Sequence, residues 1–274
     1  MKIKKILVPV DFSENSLNAL RYAAAFAKSS GAALFILHVA DPDALENELK
    51  GNLSPDHMLG LLKESEFLAG IKSTVIFRKG AVSPTILDES HKNDIDLVVM
   101  GTQGAGNMKR NLVGTHTTHV IQKSECPVLA VPAEATYNTV RKAVLAVDLE
   151  HRSDHLVEEL VLLLKIQNAA ILLTYVGSDP DGTFERDLQK LSDDLKERTS
   201  YQRILCKVIR SDRFPEDLET FALDIEADML IMITHHRFVF ESIFDPSKTR
   251  RYAYHTTIPL LAVPHHKTPV FFFS

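Results

Sequence analysis

The chain has no tryptophan, only two cysteines and only 11 glycines in 274 residues, and each scarcity removes a class of protein. Cys126 and Cys206 stand far apart without metal-ligand spacing. They exclude a disulfide scaffold and read as reduced, mostly buried thiols of a cytoplasmic protein. No run approaches the roughly 20 apolar residues of a membrane span. The apolar run before Asp11 is short, so no signal peptide is expected. The last residues, Pro269 to Ser274 with three phenylalanines, are too few for an anchor and read as packing on a domain surface or a partner chain. Basic residues form no block and the net charge is -5, which argues against a nucleic-acid partner. What remains is a soluble globular composition, long enough for two domains with a core each.

An internal repeat supplies those domains. At an offset of 137, Val10 and Asp11 meet Val147 and Asp148, Ala32 and Ala33 meet Ala169 and Ala170, and Val39 meets Val176. At an offset of 132, Asp96 meets Asp228, and the run from Pro127 to Pro132 meets the run from Pro259 to Pro264. That period is too long for a solenoid. Each copy is expected to be a domain, 1–138 and 139–274, joined by the short polar linker 133–140.

Within the first copy, continuous apolar runs predict strands buried on both faces over 3–10, 32–39, 74–77, 96–100 and 128–131. Helices are expected from the Ser13 cap to Gly31, then over 59–71, 83–93 and 115–123. Residues 41–55, polar with two prolines, read as a loop and candidate lid. The second copy repeats the order, with strands over 143–147, 169–176, 203–209, 228–233 and 260–263. Phe184, Leu188, Leu191 and Leu195 mark one face of a helix. Strand–helix alternation implies α/β domains, each a doubly wound, five-stranded parallel sheet of order 3-2-1-4-5 flanked by helices.

Such sheets bind ligands beyond the carboxyl ends of their strands, where the winding reverses between strands one and four. Asp11 closes strand one and Gly101 follows strand four, so two separate signals meet at one crevice. Gly101, Gly104, Gly114 and Thr115 have the spacing G-x2-G-x9-G-T. Glycines there let backbone approach phosphate oxygens, and Gly114-Thr115 would open a helix whose free N–H groups attract anions. Asp11 can bind a ribose hydroxyl or a divalent cation. Neither the P-loop nor the dinucleotide fingerprint is present. The second copy has Thr234, His235 and His236 after strand four and no glycine; only one copy carries the cradle.

With these motifs, together with His38-Val39 and the run from Cys126 to Pro132, the chain resembles the universal stress protein family, as a tandem of two such domains. The resemblance implies an ATP-binding stress-response regulator, with ATP, ADP or AMP, and possible Mg2+, in the first domain only. Asp11, with Val10 beside it, would contact ribose, and Val39 and Met100 would border adenine. Gly101, Gly104, Gly114 and Thr115 would wrap the phosphates, with His116 and Thr117 adding contacts. The second copy departs from this pattern except at Asp148, with Pro246-Ser247 in place of Gly114-Thr115.

Other readings stay open: an interaction scaffold needing no nucleotide, or a weak ATP hydrolase, for which no general base is nominated. His116 and His119, three apart, lack an evident third metal ligand. His235-His236 and His265-His266 read as surface or loop pairs. Lys109 and Arg110 can reach phosphates or face water. A receiver domain is rejected, because 77–80 reads Phe-Arg-Lys-Gly where its aspartate belongs. Strand five of each copy would be an apolar edge, expected to pair with its counterpart about a pseudo-twofold axis. A regulatory protein partner and a homodimer are also expected.

Overall fold

The apolar run after Lys4 becomes strand β1, Lys5–Pro9, in the computed structural model, which describes residues 3–40, 60, 62, 65–102, 115–234 and 257–265. Ile6, Leu7 and Val8 are fully buried, as a strand covered on both faces requires. By contacts the chain divides into two units, one centred on Ile3–Tyr137 and the other on residues 138–234 and 258–265.

In the first unit β1 is followed by α1 (Glu14–Ser30), β2 (Ala33–Ala40), β3 (Ser73–Lys79), α2 (Val82–Lys92), β4 (Leu97–Gly101), α3 (Thr115–Lys123) and β5 (Val128–Val131). Its strands are all parallel, in the order β3-β2-β1-β4-β5. The second unit contains β6 (Lys142–Ala146), α4 (Asp154–Ile166), β7 (Ala170–Val176), α5 (Thr183–Thr199), β8 (Ile204–Ile209), α6 (Glu216–Asp224), β9 (Met229–Thr234) and β10 (Leu260–Pro264). It has the same parallel order, β8-β7-β6-β9-β10. The expected 3-2-1-4-5 winding is therefore present in each unit.

Local chemistry sets the element ends. The Ser13 hydroxyl accepts from the Ser16 N–H at 3.3 Å to start α1, and Gly31, at φ 73°, ends it. The expected helix over 59–71 stops early. Gly60 and Leu62 are helical, but Ser65 is extended and Glu66–Leu68 forms a single 3-10 turn. The loop 41–55, Gly104, Lys109, Arg110, Gly114, His235, His236, His266 and the Phe271–Phe273 tail lie outside the described residues.

Both units repeat one clamp. Asp96 Oδ2 accepts from the Lys4 and Lys5 N–H groups at 2.8 and 2.9 Å, and Asp228 Oδ2 accepts from Arg141 and Lys142, both at 2.8 Å. The Lys5 ammonium donates to the Asn93 carbonyl, and Lys142 donates to the Ile225 carbonyl. A charged acceptor on two backbone donors is a strong hydrogen-bonding arrangement. It fixes the start of the central strand beside the start of its neighbour.

Elsewhere the units solve one packing problem in two ways. In the first, Arg78 donates from Nε and Nη2 to both oxygens of Glu89, at 2.7 and 3.1 Å, while the Glu89 side chain is almost wholly buried. In the second, Ile209 and Phe221 hold these positions, with Lys207 lying 5.6 Å from the Phe221 ring centre. Removing one partner of a buried pair strands the other charge, whereas an apolar pair of similar volume is often neutral. Arg78 is half-exposed, so water screens part of the effect. Arg78→Ala should destabilise the first unit by about 2–3 kcal/mol. Arg78→Ile with Glu89→Phe should recover most of that loss. Urea unfolding of the three proteins measures both, and equal stability of wild type and Arg78→Ala would contradict the account.

Candidate functional site

Strand order reverses at β1, since β2 lies on one side of it and β4 on the other. Asp11 follows β1 and Gly101 ends β4, so the two sequence signals come to the same end of neighbouring strands. The Asp11 Oδ1 accepts from the Ser13 N–H at 3.0 Å and from its hydroxyl at 2.6 Å, a side-chain turn that holds the exposed carboxylate at the strand end. Phe12 inside that turn has φ 63°. A left-handed non-glycine residue costs about 1–3 kcal/mol and persists only where its surroundings enforce it. Its ring lies 4.9 Å from that of His38, which in turn lies 5.7 Å from Phe77. His38 Nδ1–H donates to the Val10 carbonyl at 2.8 Å. That bond fixes a proton on Nδ1 and ties the ends of β1 and β2 together. Val10 and Met100 are buried, and Val39 is half-buried.

The end of β4 is shaped by close packing. A Cβ at Gly101 would lie 2.9 Å from the Asn15 carbonyl oxygen and 3.1 Å from its carbon. The first turn of α1 therefore requires glycine here. Helix α1 approaches through Ala19, Ala23, Ala24 and Ala27, all buried. The sequence reading ascribes Gly101 to phosphate approach; the geometry adds this separate packing reason.

Helix α3 begins beside the same strand end. Thr117, 4% exposed, donates its hydroxyl to the Gly101 carbonyl at 2.9 Å. Thr117, expected to add a phosphate contact, uses its hydroxyl to join the start of α3 to the end of β4. Thr115 and His116 are exposed, and the first N–H groups of a helix have no intrahelical acceptor. His116 Nδ1 lies 2.9 Å from the hydroxyl of buried Ser83, at the start of α2. The sequence reading missed this pair and the His38–Val10 bond, because both join segments distant in sequence. Among the described residues, no group of three or more His, Cys, Asp or Glu is arranged to hold a metal ion.

The corresponding corner of the second unit is built differently. Ile233 stands at the Gly101 position, and α4 starts at Asp154, three residues later than the repeat would place it. Its buried face is Leu156, Leu160, Val161 and Leu164 in place of the four alanines, and larger side chains hold a helix farther from its neighbours. Asp148 accepts from the Glu150 and His151 N–H groups at 2.9 and 3.3 Å and lies 3.2 Å from His151 Nδ1. Tyr175 replaces His38. Its hydroxyl lies over Gly177, 2.7 Å from where a Cβ would sit, and its ring is 4.6 Å from Phe184. Burial, then Glu150, Asp148 and Asp179, push that phenol above its usual range. The side chain fills the corner.

Comparison with known proteins places this geometry in a family. The model of the universal stress protein family matches residues 2–132. Universal stress protein Sll1654 of Synechocystis sp. is 34% identical over 134 residues, covering 47% of this chain and 85% of that protein. Universal stress protein MJ0577 of Methanocaldococcus jannaschii is 32% identical over 153 residues, covering 47% of this chain and 94% of that protein. The chain belongs to the universal stress protein family. A crystal structure of a universal stress protein from Archaeoglobus fulgidus covers 96% of this chain and 99% of its own, with a TM-score of 0.74 at 18% identity. That likeness speaks to the fold alone.

In this universal stress protein the packing account makes a direct prediction. Gly101→Ala places a methyl group against backbone, which cannot escape by changing rotamer. Overpacking of this kind costs about 1–3 kcal/mol. Urea denaturation should show that loss; wild-type stability in the variant would show that α1 does not need the glycine.

Proposed function

We propose that the first domain, residues 1–138, binds one adenine nucleotide and that occupancy regulates the protein's response to stress. The second domain, residues 139–274, is on this reading a degenerate copy without a nucleotide. The observation that carries the proposal is the junction of Asp11, Gly101 and the start of α3 at the reversal of strand order. There an exposed carboxylate and a helix start, whose first N–H groups have no intrahelical acceptor and carry partial positive charge, belong to the same end of neighbouring strands. This donor set fits a nucleotide: the acid accepts from ribose hydroxyls, and the helix start donates to phosphate.

In this reading Asp11, beside Val10, holds the ribose, and Val39 and Met100 border adenine. Thr115 and His116 donate to the phosphates together with Gly104 and Gly114, while Thr117 acts through Gly101. ATP, ADP or AMP would each fit these donors, and Mg2+ would neutralise phosphate charge. Tyr175 lying across Gly177, and an Asp148 carboxylate engaged on both oxygens by its own turn, favour a scaffold role for the second domain. The scarcity of cysteine, two residues in the whole chain without metal-ligand spacing, supports a cytoplasmic location. No helix among the described residues is long and apolar enough to cross a membrane.

Titration calorimetry with magnesium-ATP should give a stoichiometry near one. Two equivalent sites, or no heat together with no nucleotide retained by the purified protein, would count against the proposal. Gly114→Val should abolish binding in a folded protein, a loss on the order of 2–4 kcal/mol from charge-assisted contacts. Asp11→Ala should weaken binding more mildly. Unchanged affinity of a folded Gly114→Val protein would remove this loop from the site.

A further inference from the structure

An exposed histidine at the start of α3 is held by a buried serine from another helix. His116 faces solvent, yet its Nδ1 lies 2.9 Å from the hydroxyl of Ser83, a residue only 5% exposed. Ser83 is the second residue of α2, the helix that follows β3. It therefore stands at the carboxyl ends of the strands, where Asp11 and Gly101 also lie. The next side chain along α3, Thr117, turns inward and gives its hydroxyl to the Gly101 carbonyl. Of these two successive residues, one fastens the helix to β4 and the other keeps a ring nitrogen for the crevice.

The direction of the bond follows from the serine. Among the described residues its hydroxyl meets no acceptor other than His116 Nδ1. A buried hydroxyl proton left without an acceptor costs free energy, so Ser83 donates and Nδ1 accepts. A neutral imidazole that accepts at one nitrogen carries its proton on the other. His116 therefore offers Nε2–H, which has no hydrogen-bond partner among the described residues. An untethered surface side chain gives up its rotamer freedom when it binds a ligand. Here Ser83 has removed that freedom in advance.

The repeat supplies a contrast. At the offset of 132, Pro215 stands at the Ser83 position and Lys248 at that of His116. Ile86 and Leu218, both fully buried, hold equivalent places in α2 and α6 and fix the register. Proline has no hydroxyl to offer. The pair thus occurs in the copy that carries the glycine spacing and is missing from the copy that lacks it.

We propose that Ser83 is a positioning residue for the phosphate end of the crevice. Its hydroxyl holds the His116 ring in one rotamer and in the Nε2–H tautomer, ready to donate to a phosphate oxygen. Ser83 itself touches no ligand and acts only through His116. The role rests on the nucleotide reading of this crevice, while the tautomer is a property of the free protein.

Two measurements on the full chain test it. Long-range proton–nitrogen NMR of the ligand-free protein, at alkaline pH with the ring neutral, should place the His116 proton on Nε2. A proton on Nδ1 would overturn the role of Ser83 and leave nucleotide binding untouched, and this spectrum needs no variant to fold. The second measurement is a mutant cycle on magnesium-ATP affinity. Ser83→Ala should weaken binding by about threefold to tenfold as the ring regains its rotamers. In a protein that already carries His116→Ala, the same change should have less than about a twofold effect. Equal losses in both backgrounds would make Ser83 a prop for α2 and overturn the role, as would unchanged affinity of Ser83→Ala. A wild-type protein that binds no nucleotide would remove the nucleotide reading, and this role with it.

Discussion

The contact between the Asn15 carbonyl and Gly101 governs the first unit. A helix can meet a strand end this closely only if neither presents bulk, and the two requirements appear as the alanine face of α1 and the glycine of β4. The Ser13 cap and the Asp11 turn start the helix immediately after β1. Thr117 then fastens α3 to the carbonyl of that same glycine. One narrow contact thus sets the spacing of three elements around the crevice. With Ile233 in the glycine's place, the second unit starts its helix later and fills its interior with leucine and valine.

This coupling bears on function in the universal stress protein family. Gly101 has reasons to be glycine that precede any ligand, so its presence alone is modest support for phosphate binding. Stronger support comes from what converges on it: an exposed carboxylate, a helix start and an exposed histidine hydrogen-bonded to Ser83. The second unit retains the aspartate as Asp148 but spends it on a local turn. Its Tyr175 occupies room that the smaller His38 leaves, since a phenol on the same strand position reaches across Gly177. Loss of the glycine, a later helix start and a filled corner are mutually consistent changes in the same copy.

Much of the fold is legible in the residues themselves. Apolar runs identify all ten strands to within about two residues at either end, a boundary uncertainty typical of such patterns. Ser13 and Gly31 mark the ends of α1, and the repeat transfers the winding from one copy to the other. The helix over 59–71 is misjudged at its end because leucine spacing says nothing of the extended Ser65 or of Gly70, which has φ 79°. At the site, Asp11 and the start of α3 are found from strand ends. The role of Thr117, the Ser83–His116 pair and the left-handed Phe12 are not. Each depends on which segments the tertiary structure brings together, and no local pattern encodes that partner.

The paired clamps of Asp96 and Asp228 divide labour along the strands. Each grips two main-chain N–H groups at the amino ends of the sheet, opposite the end where ligand chemistry would sit. Alignment of the central strands is thus decided far from the crevice, and residues at the crevice carry little of that burden. A copy can then replace glycine with isoleucine and histidine with tyrosine while its strand register survives unchanged. Such insulation lets two units of the same winding differ at the carboxyl ends of their strands, because a substitution there leaves the architecture standing.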